Sequence, residues 1–195
     1  MYDKNYYEEY ARLTLEDIFP YDLANFSHAD KPDIQNKIDS IGIEVTRAEC
    51  SSLIQTSQYA RRFQGKNPSQ KVIDRFRGEF FFNKKGIVIG HSPSKGFITP
   101  CTVEQIVFAL EGKKKKCPSY EQFSKMGVYF FTSLFEINDQ EIQELKALDI
   151  SPYDFIIVNS GNLIYMIENH QIRQVDVSEK LAKFKSAAKE YSSRC

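Results

Sequence analysis

Apolar and polar positions along the chain change period several times, and each change predicts an element. Residues 3–17 carry Tyr6, Tyr10, Leu13 and Asp17 three or four apart, an amphipathic helix with Tyr10 and Leu13 inward. Leu23 to His28 reads as a short strand. Ile41, Ile43 and Val45 then alternate with Gly42, Glu44 and Thr46, the period-two signature of a strand with one apolar face. From about Ala48 to Phe63 the pattern returns to helix, with Gln55 and Tyr59 four apart on one face. Glu79–Phe82 and Ile87–Gly90 flank Asn83-Lys84-Lys85-Gly86, a hairpin signal that predicts an extension of the sheet. The loop 91–100 is rich in turn residues.

The second half is more regular. Val103, Ile106, Val107 and Leu110 follow the spacing of a buried helical stripe, with Thr102 and Gln105 placed to form a capping box. That helix runs out in Lys113–Lys116, where cations suit the helix dipole. Met126–Phe135 is a nearly unbroken apolar run, as a central strand buried on both faces requires. Asn138 is placed to cap a helix reaching about Leu148. Strands at 155–158, 163–167 and 172–177 follow, and Ser178 is placed to cap a last helix with Leu181, Phe184, Ala188 and Tyr191 on one stripe. The order of elements predicts an α/β fold, a mixed central sheet flanked by helices on both faces.

The chemistry concentrates at residues 30–49. Glu44 lies mid-strand on the face opposite the isoleucines, and Asp33 follows Pro32 in an extended or turn segment. If the segment from Asp33 pairs with the strand of Glu44, two carboxylates converge, and clustered oxygen ligands are what Mg²⁺ needs. The alternative for both is a turn aspartate and a solvated strand glutamate.

Pro32-Asp33, ten intervening residues, then Glu44-Val45-Thr46 resembles the PD-(D/E)xK superfamily of restriction-endonuclease-like nucleases. The resemblance implies a restriction-endonuclease-like core with an extra hairpin in the 79–100 segment, Asp33 and Glu44 holding Mg²⁺ (or Mn²⁺), and DNA as substrate. Of Glu8 and Glu9 on the first helix, it makes Glu9 the better candidate for a further metal ligand. Gln55 and Tyr59 resemble a QxxxY signature found in one branch, which implies substrate contact. Thr46 stands where the family usually has lysine, so a catalytic cation must come from elsewhere, and Lys37, Lys113 and Lys116 are the candidates. The rival expectations are a non-catalytic member that binds nucleic acid or a protein partner, and an interaction domain whose hairpin carboxylates are surface groups.

Composition narrows this. With 195 residues and 42% hydrophobic positions the chain is expected to form one domain with a substantial core. Net charge is zero, 26 basic against 26 acidic residues, which argues against a protein that coats nucleic acid non-specifically. Arg61, Arg62, Lys66, Lys71, Arg75 and Arg77 still form a local basic stretch. Four scattered cysteines without a CxxC pair argue against a zinc site or a disulfide framework. No apolar run reaches membrane-span length and the N-terminus is polar, so a cytoplasmic protein with reduced thiols is expected. His28, alone in a turn, reads as a surface residue.

Overall fold

The computed structural model describes residues 4–19, 25–48, 62–75, 80–91, 103–132 and 137–194. The chain divides into two compact units, Glu49–Pro100 and the residues on either side of it.

The larger unit is built on a seven-stranded mixed sheet. Its strands are β1 (Ser27–His28), β2 (Ile34–Asn36), β3 (Ile41–Ala48), β6 (Lys125–Thr132), β7 (Phe155–Asn159), β8 (Leu163–Glu168) and β9 (Gln171–Asp176), and they lie side by side in that order. β1, β2 and β3 pair antiparallel, β3, β6 and β7 parallel, and β7, β8 and β9 antiparallel. Parallel neighbours need a crossover connection. The chain between β3 and β6 includes α3 (Val103–Lys114), and α4 (Asp139–Lys146) lies between β6 and β7.

Two cores face each other across this sheet. On one side Ile41, Ile43, Val45, Tyr129 and Phe155 pack against α1 (Lys4–Ile18) and α5 (Leu181–Ser192). On the other Ala48, Val128, Phe130, Ile156 and Val158 pack against α3 and α4. β6 is the middle strand and is buried on both faces, as its apolar run requires. Its one polar side chain in the core, Tyr129, is satisfied. The hydroxyl sits 2.9 Å from Thr14 Oγ1 and accepts from Asn159 Nδ2 at 2.7 Å.

Local chemistry fixes the ends. Asn138 and Glu141 form a reciprocal capping box on α4. Ser178 does not cap α5, which begins at Leu181. Its N–H and hydroxyl both donate to Asp176 in the turn before the helix, so Lys180 holds the cap position instead. Thr102 lies outside the described residues.

The smaller unit holds α2 (Gln70–Arg75), β4 (Phe80–Phe82) and β5 (Val88–His91). β4 and β5 form a separate two-stranded sheet and do not extend the main one. The reason is packing: Phe80 and Val88 close a small core of their own with Phe63, Val72 and Phe82. Residues 62–63 are helical, and the rest of the helix expected over 48–63 lies outside the described residues apart from Ala48, which ends β3. No helix among the described residues is long and apolar enough to cross a membrane.

Gly127 is required by the sheet. A Cβ there would lie 2.1 Å from the Phe155 ring on the neighbouring strand. Gly127→Ala is expected to cost about 1–3 kcal/mol through overpacking. A urea titration checks this: the midpoint should fall with the slope unchanged.

Candidate functional site

Glu44 occupies the centre of β3 and points to the α3 face, the side opposite Ile41, Ile43 and Val45. It is only 3% exposed, so the solvated-strand alternative does not describe it. A buried carboxylate needs a partner. The partner is Lys113, whose ammonium donates a charge-assisted hydrogen bond to Glu44 Oε2 and a 3.3 Å bond to the Val45 carbonyl. Lys113 arrives there because it continues the buried stripe of α3, three residues beyond Leu110 and seven beyond Ile106. It sits in the last turn, where the helix dipole favours a cation.

Asp33 immediately precedes β2, and Gly42 lets it come close. A Cβ on Gly42 would lie 2.7 Å from Pro32 Cγ, so glycine allows the Pro32 loop to lie against β3. β2 stops pairing at the Ile34–Ile43 step, and the Val45 N–H two residues further along donates to Asp33 Oδ2 at 2.8 Å. Asp33 Oδ2 is also 4.0 Å from Lys113 Nζ. One ammonium therefore faces both motif carboxylates, Asp33 itself being 5% exposed.

The first helix brings Glu8 to this place rather than Glu9. Lys4 Nζ lies 3.0 Å from both Glu8 Oε1 and Asp33 Oδ1, tying the two carboxylates together. Glu8 Oε1 is buried without an aligned hydrogen bond. Glu9 instead takes a bidentate pair from Arg12 at 2.7 and 2.8 Å and a 2.7 Å bond with His28 Nε2. His28 is thus no free surface residue. It belongs to β1, stacks on Tyr191 at 4.8 Å and has Nδ1 3.9 Å from Glu8 Oε2.

Three further side chains close the Glu44 end. Tyr120 lies beside Glu44, Tyr153 Oη donates to the Lys113 carbonyl at 3.1 Å, and buried Cys117 lies beside Tyr153. Burial and the neighbouring Glu44 charge push the Tyr120 hydroxyl well up.

Of the other expected site residues, Thr46 is half-buried on the same strand face as Glu44. Lys37 is exposed and pairs with Glu121 at 3.8 Å, and the Lys116 side chain is exposed. Neither converges on the carboxylates as Lys113 does. Gln55 and Tyr59 lie outside the described residues. Reasoning from the sequence missed Lys4 and ranked Glu9 above Glu8, although the four-residue spacing of Lys4 and Glu8 in one helix is the signal for a paired turn.

Asp33 and Glu44 suit a hard divalent cation on chemistry: both are oxygen donors, both are buried, and a cationic group already fits between them. Among the described residues no three His, Cys, Asp or Glu side chains form a ready-made cage. Mg²⁺ does not need one, since it keeps most of its waters and binds through one or two carboxylates. Asp33 and Glu44 would hold it, with Glu8 near Asp33. No protein-family model matches the chain, and no curated protein or solved structure matches it either.

Adjacent glutamates on α1 titrate in opposite directions. Burial works to raise Glu9, but Arg12 and His28 outweigh it and hold the carboxyl at about 2. Burial, reinforced by the Asp33 charge, raises Glu8 above its usual 4.5 despite Lys4. Burial likewise raises Glu44, with Lys113 opposing. Glu9 thus stabilises the fold above pH 4.5 and loses that contribution as pH falls toward 2. Glu8 contributes below 4.5 and loses its contribution as pH rises above that value. Thermal melts across pH should show Glu9→Gln flattening the acid side of the stability curve and Glu8→Gln flattening the neutral side.

Proposed function

We propose that this protein is a Mg²⁺-dependent (or Mn²⁺-dependent) phosphodiesterase acting on DNA, of the PD-(D/E)xK type, in which Lys113 supplies the cation that Thr46 does not. The carrying observation is the convergence of Asp33 and Glu44 on one lysine delivered by α3. The element order supports the same reading. The mixed α/β sheet has a first helix, an antiparallel β1–β2–β3 meander with both carboxylates, and a crossover to a parallel β6, an order that agrees with the core the motif implies.

Each residue then has work to do. Asp33 and Glu44 would hold the metal, and the Asp33 bond to Val45 N–H fixes its rotamer relative to Glu44. When bound, Mg²⁺ supplies Lewis-acid polarisation of the scissile phosphate and a lowered pKa for attacking water. Lys113, which faces both carboxylates, would be the cation that stabilises developing phosphate charge. Tyr120 and Tyr153 restrict Glu44 and the end of α3, which keeps the ammonium on the site. Glu8 and Lys4 orient Asp33 from the opposite side.

A second reading, a nuclease-like domain that binds nucleic acid or a protein partner without cutting, is favoured by one observation. The carboxylates are already neutralised by Lys113 and Lys4, so the site is electrostatically complete without a metal.

Calorimetric titration of Mg²⁺ and Mn²⁺, followed by incubation with plasmid and single-stranded DNA, separates the two. Wild type is expected to bind metal and cut, and Asp33→Ala and Glu44→Ala to do neither. Metal binding without cutting establishes the second reading, and absence of both removes the first. Lys113→Ala is expected to lower the cleavage rate by about 10²–10³, the scale of losing one preorganised charge. Adding Thr46→Lys to that variant should recover part of the loss in a single-turnover assay, because position 46 shares the Glu44 face.

A further inference from the structure

The zero net charge conceals a segregation. Residues 49–100 hold nine Lys and Arg against three Asp and Glu, a net of +6, which leaves the rest of the chain with 17 basic and 23 acidic residues, a net of −6. That boundary coincides with the smaller structural unit. A phosphodiesterase whose metal-binding unit is acidic must gain its attraction for a polyanion elsewhere, and this unit carries the opposite sign.

The described part of the unit also has a shaped surface. The β4–β5 turn is pinned by Asn83, whose Oδ1 accepts from Lys85 N–H at 2.9 Å and Ile87 N–H at 3.0 Å. Gly86 at φ +73° completes it. The exposed Lys84 and Lys85 are therefore displayed at the tip of a fixed turn. Behind them, Phe81 and Ile89 stand 50% and 59% exposed, on a hairpin whose inward residues are Phe80 and Val88. The Phe81 ring lies against Gly90, which offers no side chain of its own. The tip beyond Val88, with its lysines and apolar flank, is a two-stranded ribbon end, a shape that a DNA major groove admits. Arg62 and Lys66, also exposed, belong to the segment that pairs with β5 through the Gly65–Val88 bond at 2.9 Å.

We propose that the β4–β5 hairpin is the duplex-DNA contact of this protein, with Lys84 and Lys85 on phosphates and Phe81 and Ile89 against the groove wall. This rests on the nucleic-acid reading above and names the surface responsible. It gives the unit a task separate from the carboxylate site: capture of the polyanion, leaving Asp33 and Glu44 to the reaction.

The test is fluorescence anisotropy of a short labelled duplex with the full chain, in EDTA, over a series of KCl concentrations. Wild type is expected to bind with salt-dependent affinity. Lys84→Gln/Lys85→Gln should lower the slope of log affinity against log salt by about two, since each phosphate contact contributes about 0.9. Phe81→Ser should weaken binding with the slope unchanged. Lys183→Gln/Lys185→Gln, a neutralisation of equal size on exposed positions of α5, should leave the slope as it was. All four substituted side chains in the two double variants are exposed, and a circular dichroism melt of each variant is the check that it folds. No binding by wild type, or equal slopes for the two double variants, overturns the proposal whatever the cleavage assay shows. Equal affinity for labelled polyglutamate, with the same dependence on Lys84 and Lys85, assigns the surface to acidic polypeptides and also overturns it. Duplex binding with the expected pattern, but no cutting in Mg²⁺, upholds the hairpin while removing the nuclease reading. Cutting that ignores both hairpin variants does the reverse.

Discussion

A carboxylate on the inside face of a β-strand is the constraint around which the larger unit is arranged. Glu44 lies among Ala48, Val128 and the α3 stripe, surroundings that favour an apolar residue. Left alone there, an ionised carboxylate costs several kcal/mol of desolvation. Lys113 offsets that cost, and it can do so only if α3 lies across β3 with its last turn above Glu44. The crossover from β3 to a parallel β6, the burial of Val103, Ile106 and Leu110, and the position of Tyr153 under the Lys113 carbonyl all serve this one pairing.

As a stability device the arrangement is poor. A well-packed hydrophobic pair of similar volume would be neutral or better than a buried ion pair. Here two lysines and three carboxylates gather within reach of one another, two of the carboxylates with pKa values displaced upward by burial. Such a collection of costly, paired groups makes this place the functional-site candidate among the described residues. The same economy runs through the backbone. Gly42 gives up a side chain so that Pro32 can approach, and Asp33 takes the N–H that β2, ending early, leaves unpaired.

Much of this was legible in the sequence. Period-two alternation at 41–46 set the strand and the face of Glu44, and the apolar run at 126–135 marked the central strand. Asn138 announced its capping box. What stayed hidden depended on tertiary placement. Whether Lys37, Lys113 or Lys116 meets the carboxylates turns on which helix face packs on the sheet, although position 113 does extend the 103, 106, 110 stripe. Glu8 and Glu9 are adjacent on a helix buried over much of its surface, so periodicity could not rank them; Arg12 and His28 claim Glu9 only once β1 is in place. The β4–β5 hairpin was legible as a hairpin, but its independence from the main sheet rests on a small core drawn from Phe63 and Val72, which are distant in sequence.

If Asp33 and Glu44 form a divalent-cation site, crystals soaked in Mn²⁺ and measured at an anomalous wavelength will show a single anomalous peak about 2.1 Å from an oxygen of each carboxylate, with the Lys113 ammonium withdrawn from Glu44. A map without that peak, with Lys113 still bonded to Glu44, would mean that the ion pair is structural and that no metal is held at this site.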